Sequence, residues 1–288
     1  MTEKTLPAAA GWQWWQSAFG LLLRAPKSVL LYPMLFALFF CAIFLVLSFV
    51  LALLAPSMPV VAVLVVVLVM LATGMLSPAL MLGLMSIFRS ADQGESPSMA
   101  AFMQPFRERL LPLVAAGLLI AGFSIIVQFV VTAISGLGID GLLAMYTYTD
   151  DIYDISSTET LAGMGLLPLL LSLLVTTVSM MLVWYSYFLV GWHDRPVISA
   201  LKESFTAALK NWAPFLVCFL VYFVGAIVVA IVLSVLAVIL VWILPKWILF
   251  LIGIVGVIVF AAVVMALLYG VWYYSYKTVF GEQEPTPK

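Results

Sequence analysis

Ser124, Gln128, Thr132 and Ser135 recur at spacings of four, four and three residues inside an otherwise apolar run. That spacing sets four hydrogen-bonding side chains on one face of a helix. Ser172, Thr176 and Ser179 repeat the pattern in a later apolar run. Such faces line a polar path, or they hydrogen-bond between helices at roughly 1 kcal/mol or less per contact. A second set of reactive types lies in "GIDGLLAMYTYTDDIYDISSTETLAGMG", where Asp150, Asp151 and Asp154 interleave with Tyr146, Tyr148 and Tyr153. Carboxylates offer oxygen ligands to a hard cation, but this spacing follows no calcium-loop pattern. With Tyr148 and Tyr153 beside Asp150, Asp151 and Asp154, the segment reads as a docking loop for a membrane or periplasmic protein partner.

The single histidine, His193, stands next to Asp194 in "GWHDRP". No serine–carboxylate setting surrounds it, so nucleophilic catalysis has no base to use. No P-loop, zincin, nucleophile elbow or dinucleotide fingerprint is present. Cys41 and Cys218 both lie deep in apolar runs, which argues against a disulfide framework and against a metal site. The expectation is therefore a non-catalytic chain with no cofactor and no metal.

These residues must be carried by membrane-spanning elements. The chain has 288 residues, 66% hydrophobic and 9% charged. Soluble domains carry roughly 25% charge, so the apolar runs here must face lipid or one another. A net charge of −1 supplies no field for nucleic acid. About 20 apolar residues cross the hydrocarbon core. Six runs qualify: about 28–54, 60–88, 110–135, 164–192, 213–242 and 247–276. They are continuous, not alternating, which excludes a β-barrel. The first run has no early small-residue cleavage site, so a secretory signal peptide is not expected. Pro78 falls inside the second run and should kink it.

In this six-span reading eleven of the twelve Lys and Arg residues fall on one side, and only Lys246 lies opposite. The positive-inside rule then places both termini in the cytoplasm. Trp184, Tyr185, Tyr187 and Trp192 close the fourth span, and Trp272, Tyr273, Tyr274 and Tyr276 the sixth. Amphipathic rings of this kind settle at the headgroup level.

Three stretches are alike: "SAFGLLLRAPKSVLL", "AAFMQPFRERLLPLV" and "ESFTAALKNWAPFLV". Each has a phenylalanine (Phe19, Phe102, Phe205), a basic residue five positions on (Arg24, Arg107, Lys210), then a proline and a long span. Trp12, Trp15, Phe19 and Leu22 form an apolar stripe, repeated by Ile198, Leu201, Phe205, Ala208 and Trp212. Such helices lie in the interface, with Trp12, Trp15, Phe19, Phe205, Trp212 and Trp272 as anchors. Arg24, Lys27, Arg107, Lys202 and Lys210 then meet anionic membrane lipids. The fold class expected is an all-α, polytopic bundle in a single integral membrane domain. It has three helical hairpins, each preceded by a short amphipathic helix, in repeat units about 11–90, 98–194 and 197–280, with tails 1–10 and 281–288. Gly117 with Gly122, and Gly253 with Gly256, suggest close approach of helices.

"GWQWWQSAFGLLLRAPKSVL" and "ESFTAALKNWAPFLVCFLVYFVG" together resemble an uncharacterised family of bacterial six-helix inner-membrane proteins with an N-terminal G-W-x-W element. The resemblance implies a Gram-negative cytoplasmic membrane and carries over no catalytic or binding residue. Three functions stand as expectations. The first is a non-catalytic protein organising lipids or partner membrane proteins. The second is a transporter or channel for a small or lipidic solute. The third, less favoured, is an interfacial lipid enzyme.

Overall fold

The computed structural model describes residues 3–54, 57–134, 166–243 and 245–281. All regular structure among them is helical: α1 (Ala10–Arg24), α2 (Pro26–Leu54), α3 (Pro59–Asp92), α4 (Met99–Glu108), α5 (Leu110–Ile134), α6 (Leu166–His193), α7 (Val197–Lys210), α8 (Trp212–Ile243) and α9 (Lys246–Phe280). Five stretches are long and apolar enough to cross a membrane: Pro26–Leu54, Leu71–Asp92, Leu173–His193, Trp212–Trp242 and Ile258–Phe280. A shorter apolar helical stretch, Leu110–Phe123, lies in α5. The helix boundaries have local causes. Pro26 opens α2, and Pro112 and Pro214 are third residues of α5 and α8, where the first turn needs no donor. Pro33, Pro78 and Pro105 sit inside α2, α3 and α4. Asp194 adopts a left-handed φ of 56°, and beyond it the Arg195 N–H turns back to the Leu189 carbonyl at 3.1 Å, which closes the end of α6.

The chain forms two compact units, one of residues 1–39, 83–104 and 206–288, the other of 40–82 and 105–205. Each of the three repeat units read from the sequence contributes to both.

In the first unit α1 packs along both α8 and α9. Small residues permit this: a Cβ at Gly11 would lie 2.1 Å from the Pro214 carbonyl oxygen, and one at Gly270 would lie 2.8 Å from the Ala18 Cβ. Ala10, Trp14, Ala18 and Leu21 form the buried face of α1. Trp12 and Phe19 are exposed, and Trp15 is half-buried. α4 lies against the end of α3, where a Cβ at Gly83 would stand 2.5 Å from the Phe102 carbonyl oxygen. Phe36 and Phe88 both meet the Tyr269 ring edge-on.

In the second unit α5 packs on α6. Gly117 approaches the Gly74 carbonyl so closely that a Cβ would lie 2.6 Å from it. Gly122, unlike Gly117, faces open space, and the same holds for Gly253 and Gly256 of the first unit. Close helix approach therefore occurs at the first of these four glycines and not at the other three. α7 is fixed to α6 by Ser204, whose hydroxyl donates to the Met181 carbonyl at 2.8 Å and accepts the Tyr185 N–H at 2.9 Å.

Burial is one-ended in both units. In the first it involves α1, Val29 and Pro33 of α2, Asn211, 214–218 of α8, 262–280 of α9 and the end of α3. In the second it involves 113–117 of α5, 185–190 of α6 and 79–82 of α3. The opposite halves of the long helices are exposed or half-buried wherever described.

Candidate functional site

A polar cluster of the first unit is built on Asp92, the last residue of α3. Its side chain is 8% exposed. The Tyr274 hydroxyl donates to Oδ1 at 2.5 Å, and Tyr273 donates to Oδ2 at 3.3 Å. Lys277 Nζ also donates to Oδ2, and it stands 6.0 Å from the Tyr273 ring centroid. All three donors come from the last turns of α9. Arg24, two-thirds exposed, brings its guanidinium to 3.8 Å. A carboxylate taken out of water needs this many donors, because its desolvation otherwise outweighs any single ion pair. The cluster also sets cations at the carbonyl ends of helices: Lys277 is in the last turn of α9 and Arg24 in that of α1.

A second node is Asn211, fully buried between α7 and α8. Its Oδ1 accepts the Leu6 N–H at 2.9 Å, and its Nδ2 donates to the carbonyls of Lys4 at 3.0 Å and Ala207 at 2.9 Å. Lys4 N–H donates to the Val279 carbonyl at 3.0 Å, and Glu3 pairs with Lys210. Residues 3–6 are thus held against α9 and the α7–α8 junction by main-chain and side-chain bonds. The chain matches no family model, no curated protein and no solved structure. Its function is therefore read from sequence and geometry alone.

The residues expected to meet lipid headgroups are placed as follows. Arg24, Lys27, Arg107, Lys202 and Lys210 are all exposed. Of these, Arg24 and Lys210 also take part in the Asp92 and Glu3 pairs. Among the anchors, Trp12 (50% exposed), Phe19 (53%) and Trp212 (60%) face outward, while Trp15, Phe205 and Trp272 are half-buried. Trp15 donates through Nε1 to the Cys218 carbonyl at 3.1 Å and stacks on Tyr222.

Ser124, Gln128 and Thr132 are on α5 and Ser172 is on α6, with side chains outside the described residues. Thr176 of α6 is exposed. Neighbouring hydroxyls in apolar helices satisfy themselves locally: Thr73 donates to Val69, Thr177 to Leu173 and Ser234 to Ala230, each four residues back. Tyr148, Asp150, Asp151, Tyr153 and Asp154 lie outside the described residues. Asp194, next to His193, follows the last residue of α6 and pairs with Arg109.

Sequence reasoning did not single out Asp92. Its signal was an aspartate at the end of an apolar run, in "FRSADQGE", on the side otherwise rich in cations.

Proposed function

We propose that this chain is a non-catalytic, multi-pass protein of a bacterial inner membrane that organises lipids, crossing six times with both termini cytoplasmic. The observation that carries it is the one-ended burial. Packed polar and aromatic groups gather at the ends that hold Arg24, Lys27, Lys202 and Lys210, while apolar halves extend away from them exposed. Anionic headgroups then meet the exposed cations, and acyl chains meet the apolar halves. Three like contacts support the repeat: α1 on α9, α4 on α3 and α7 on α6, each a short helix against the closing turns of a long one. Ser86, Ser186 and Ser275 support it too, as a buried serine near the end of each of those long helices.

The test replaces Arg24, Lys27, Lys202 and Lys210 together with glutamine. Phosphatidylglycerol co-purified with the chain falls severalfold relative to phosphatidylethanolamine. An unchanged ratio overturns the lipid-organising reading.

A second reading has one observation in its favour. The polar faces of Ser124, Gln128 and Thr132 and of Ser172 and Thr176 lie on α5 and α6, which pack together. A solute path there would make a cysteine at 128 reactive to a membrane-impermeant thiol reagent.

A further inference from the structure

The α8–α9 hairpin is parted at its base by a third helix. Gly11 and Trp15 of α1 lie on α8, Ala18 lies on α9, and Trp14 touches both, edge-on to Phe215 and hydrogen-bonded to Thr278 at 2.8 Å. The two legs are joined through the short link after Ile243, yet among the described residues they meet only sparsely.

Beyond Cys218 no described residue of α8 is buried as far as Trp242. The seven consecutive residues Tyr222–Val228 are all exposed. Successive residues of a helix turn by 100°, so seven in a row cover every side. One packed neighbour would bury a stripe about 100° wide; α1 reaches only Tyr222, through the Trp15 ring, and among the described residues no buried stripe runs on from it along 223–228. α9 is alike: Gly253, Gly256 and Ile258–Phe260 are exposed, and a Cβ at Gly225, Gly253 or Gly256 would meet no atom within 4 Å.

The stretch 219–242 holds no charged residue, and its one serine hydroxyl is bonded within the helix. Its length, about 36 Å at 1.5 Å per residue, exceeds the hydrocarbon core of about 30 Å. We infer that the two legs of this hairpin hold lipid acyl chains between them, above the floor made by α1. Among the described residues the polar side-chain atoms of 219–242 are confined to Tyr222 and Trp242 near the two ends and to the Ser234 hydroxyl, which leaves water little to bind. A partner helix, from this chain or a second copy, would take one stripe and leave the rest, whereas fluid hydrocarbon contacts all sides at once. The inference rests on the membrane reading above and adds where the lipid goes.

The experiment is a nitroxide scan. Cys41 and Cys218 are changed to alanine, and single cysteines at 222 through 228 are labelled in turn, with one chain per phosphatidylethanolamine–phosphatidylglycerol nanodisc. Oxygen collision is high and nickel-chelate collision low at 223 through 228, whereas 222, against Trp15, gives the packed reference. A dip recurring every 3.6 residues overturns the inference, because protein then covers one face. Nickel access along one face overturns it too, because the space is then wet. Nickel access at every position removes the membrane reading itself. In parallel, phosphatidylglycerol carrying a diazirine at the chain terminus is photolysed in nanodiscs with the unmodified chain. It labels α8 between 219 and 242 on all sides, and α9 at 253–260. Labels confined to one side of α8 overturn the inference independently of any variant.

Discussion

Asp92 accepts three hydrogen bonds on two oxygens, each from a side chain far away in sequence. Replacing it with leucine leaves Lys277 and two tyrosine hydroxyls without their acceptor. We predict a loss of about 1–3 kcal/mol, seen as a lower thermal midpoint in detergent. Asp92→Asn keeps acceptor oxygen for the hydroxyls and loses less. Glu95, exposed just beyond α3, is the control; its change to glutamine stays within about 0.5 kcal/mol. Coincident melting of Asp92→Leu and the parent chain would deny the cluster any role in stability.

At the scale of elements, α1 shows how much apolar periodicity can tell. Its stripe of Trp12, Trp15, Phe19 and Leu22 was legible, and so was its helical span. The face that α8 and α9 cover runs instead through Gly11, Trp14 and Ala18; of the stripe, Trp15 lies at its edge on α8 and Leu22 is buried, while Trp12 and Phe19 are exposed. Both faces are apolar, and hydrophobic pattern does not separate a face meant for lipid from one meant for another helix. Small residues carry the distinction, and the partner that makes them matter lies some two hundred residues on. The long helices were readable because hydropathy is a local property. The Asp92 and Asn211 nodes were not, because their partners are fixed by tertiary packing: Lys277 is 185 positions from Asp92. The same contrast yields a paired prediction. An alanine in place of glycine raises helix propensity by up to about 1 kcal/mol. At Gly253, which faces open space, Gly253→Ala leaves the melting temperature unchanged or raises it. At Gly11 the new methyl meets the Pro214 carbonyl at 2.1 Å, so Gly11→Ala destabilises by about 1–3 kcal/mol. Equal midpoints for the two variants would refute the wedge packing of α1.

At the scale of the whole molecule, the proposed topology makes a clear claim about access. In a background lacking Cys41 and Cys218, an impermeant maleimide added to intact cells labels Asp151→Cys and spares Thr286→Cys. Labelling of the second from outside would reverse the orientation.

The packing of α1 also has a consequence in time. Arg24 ends α1 and Trp212 begins α8, so 187 residues lie between this helix and the first of the two long helices it packs along. At roughly 5–20 residues per second, a ribosome needs about 10 to 40 s to cross that interval. Throughout it, Trp14 lacks both Phe215 and Thr278, the side chains it meets in the folded chain. On the membrane reading proposed above, a helix that carries a second apolar side, ending in Arg24 beside Lys27, waits at the membrane surface, and its docking on α8 and α9 comes late in synthesis.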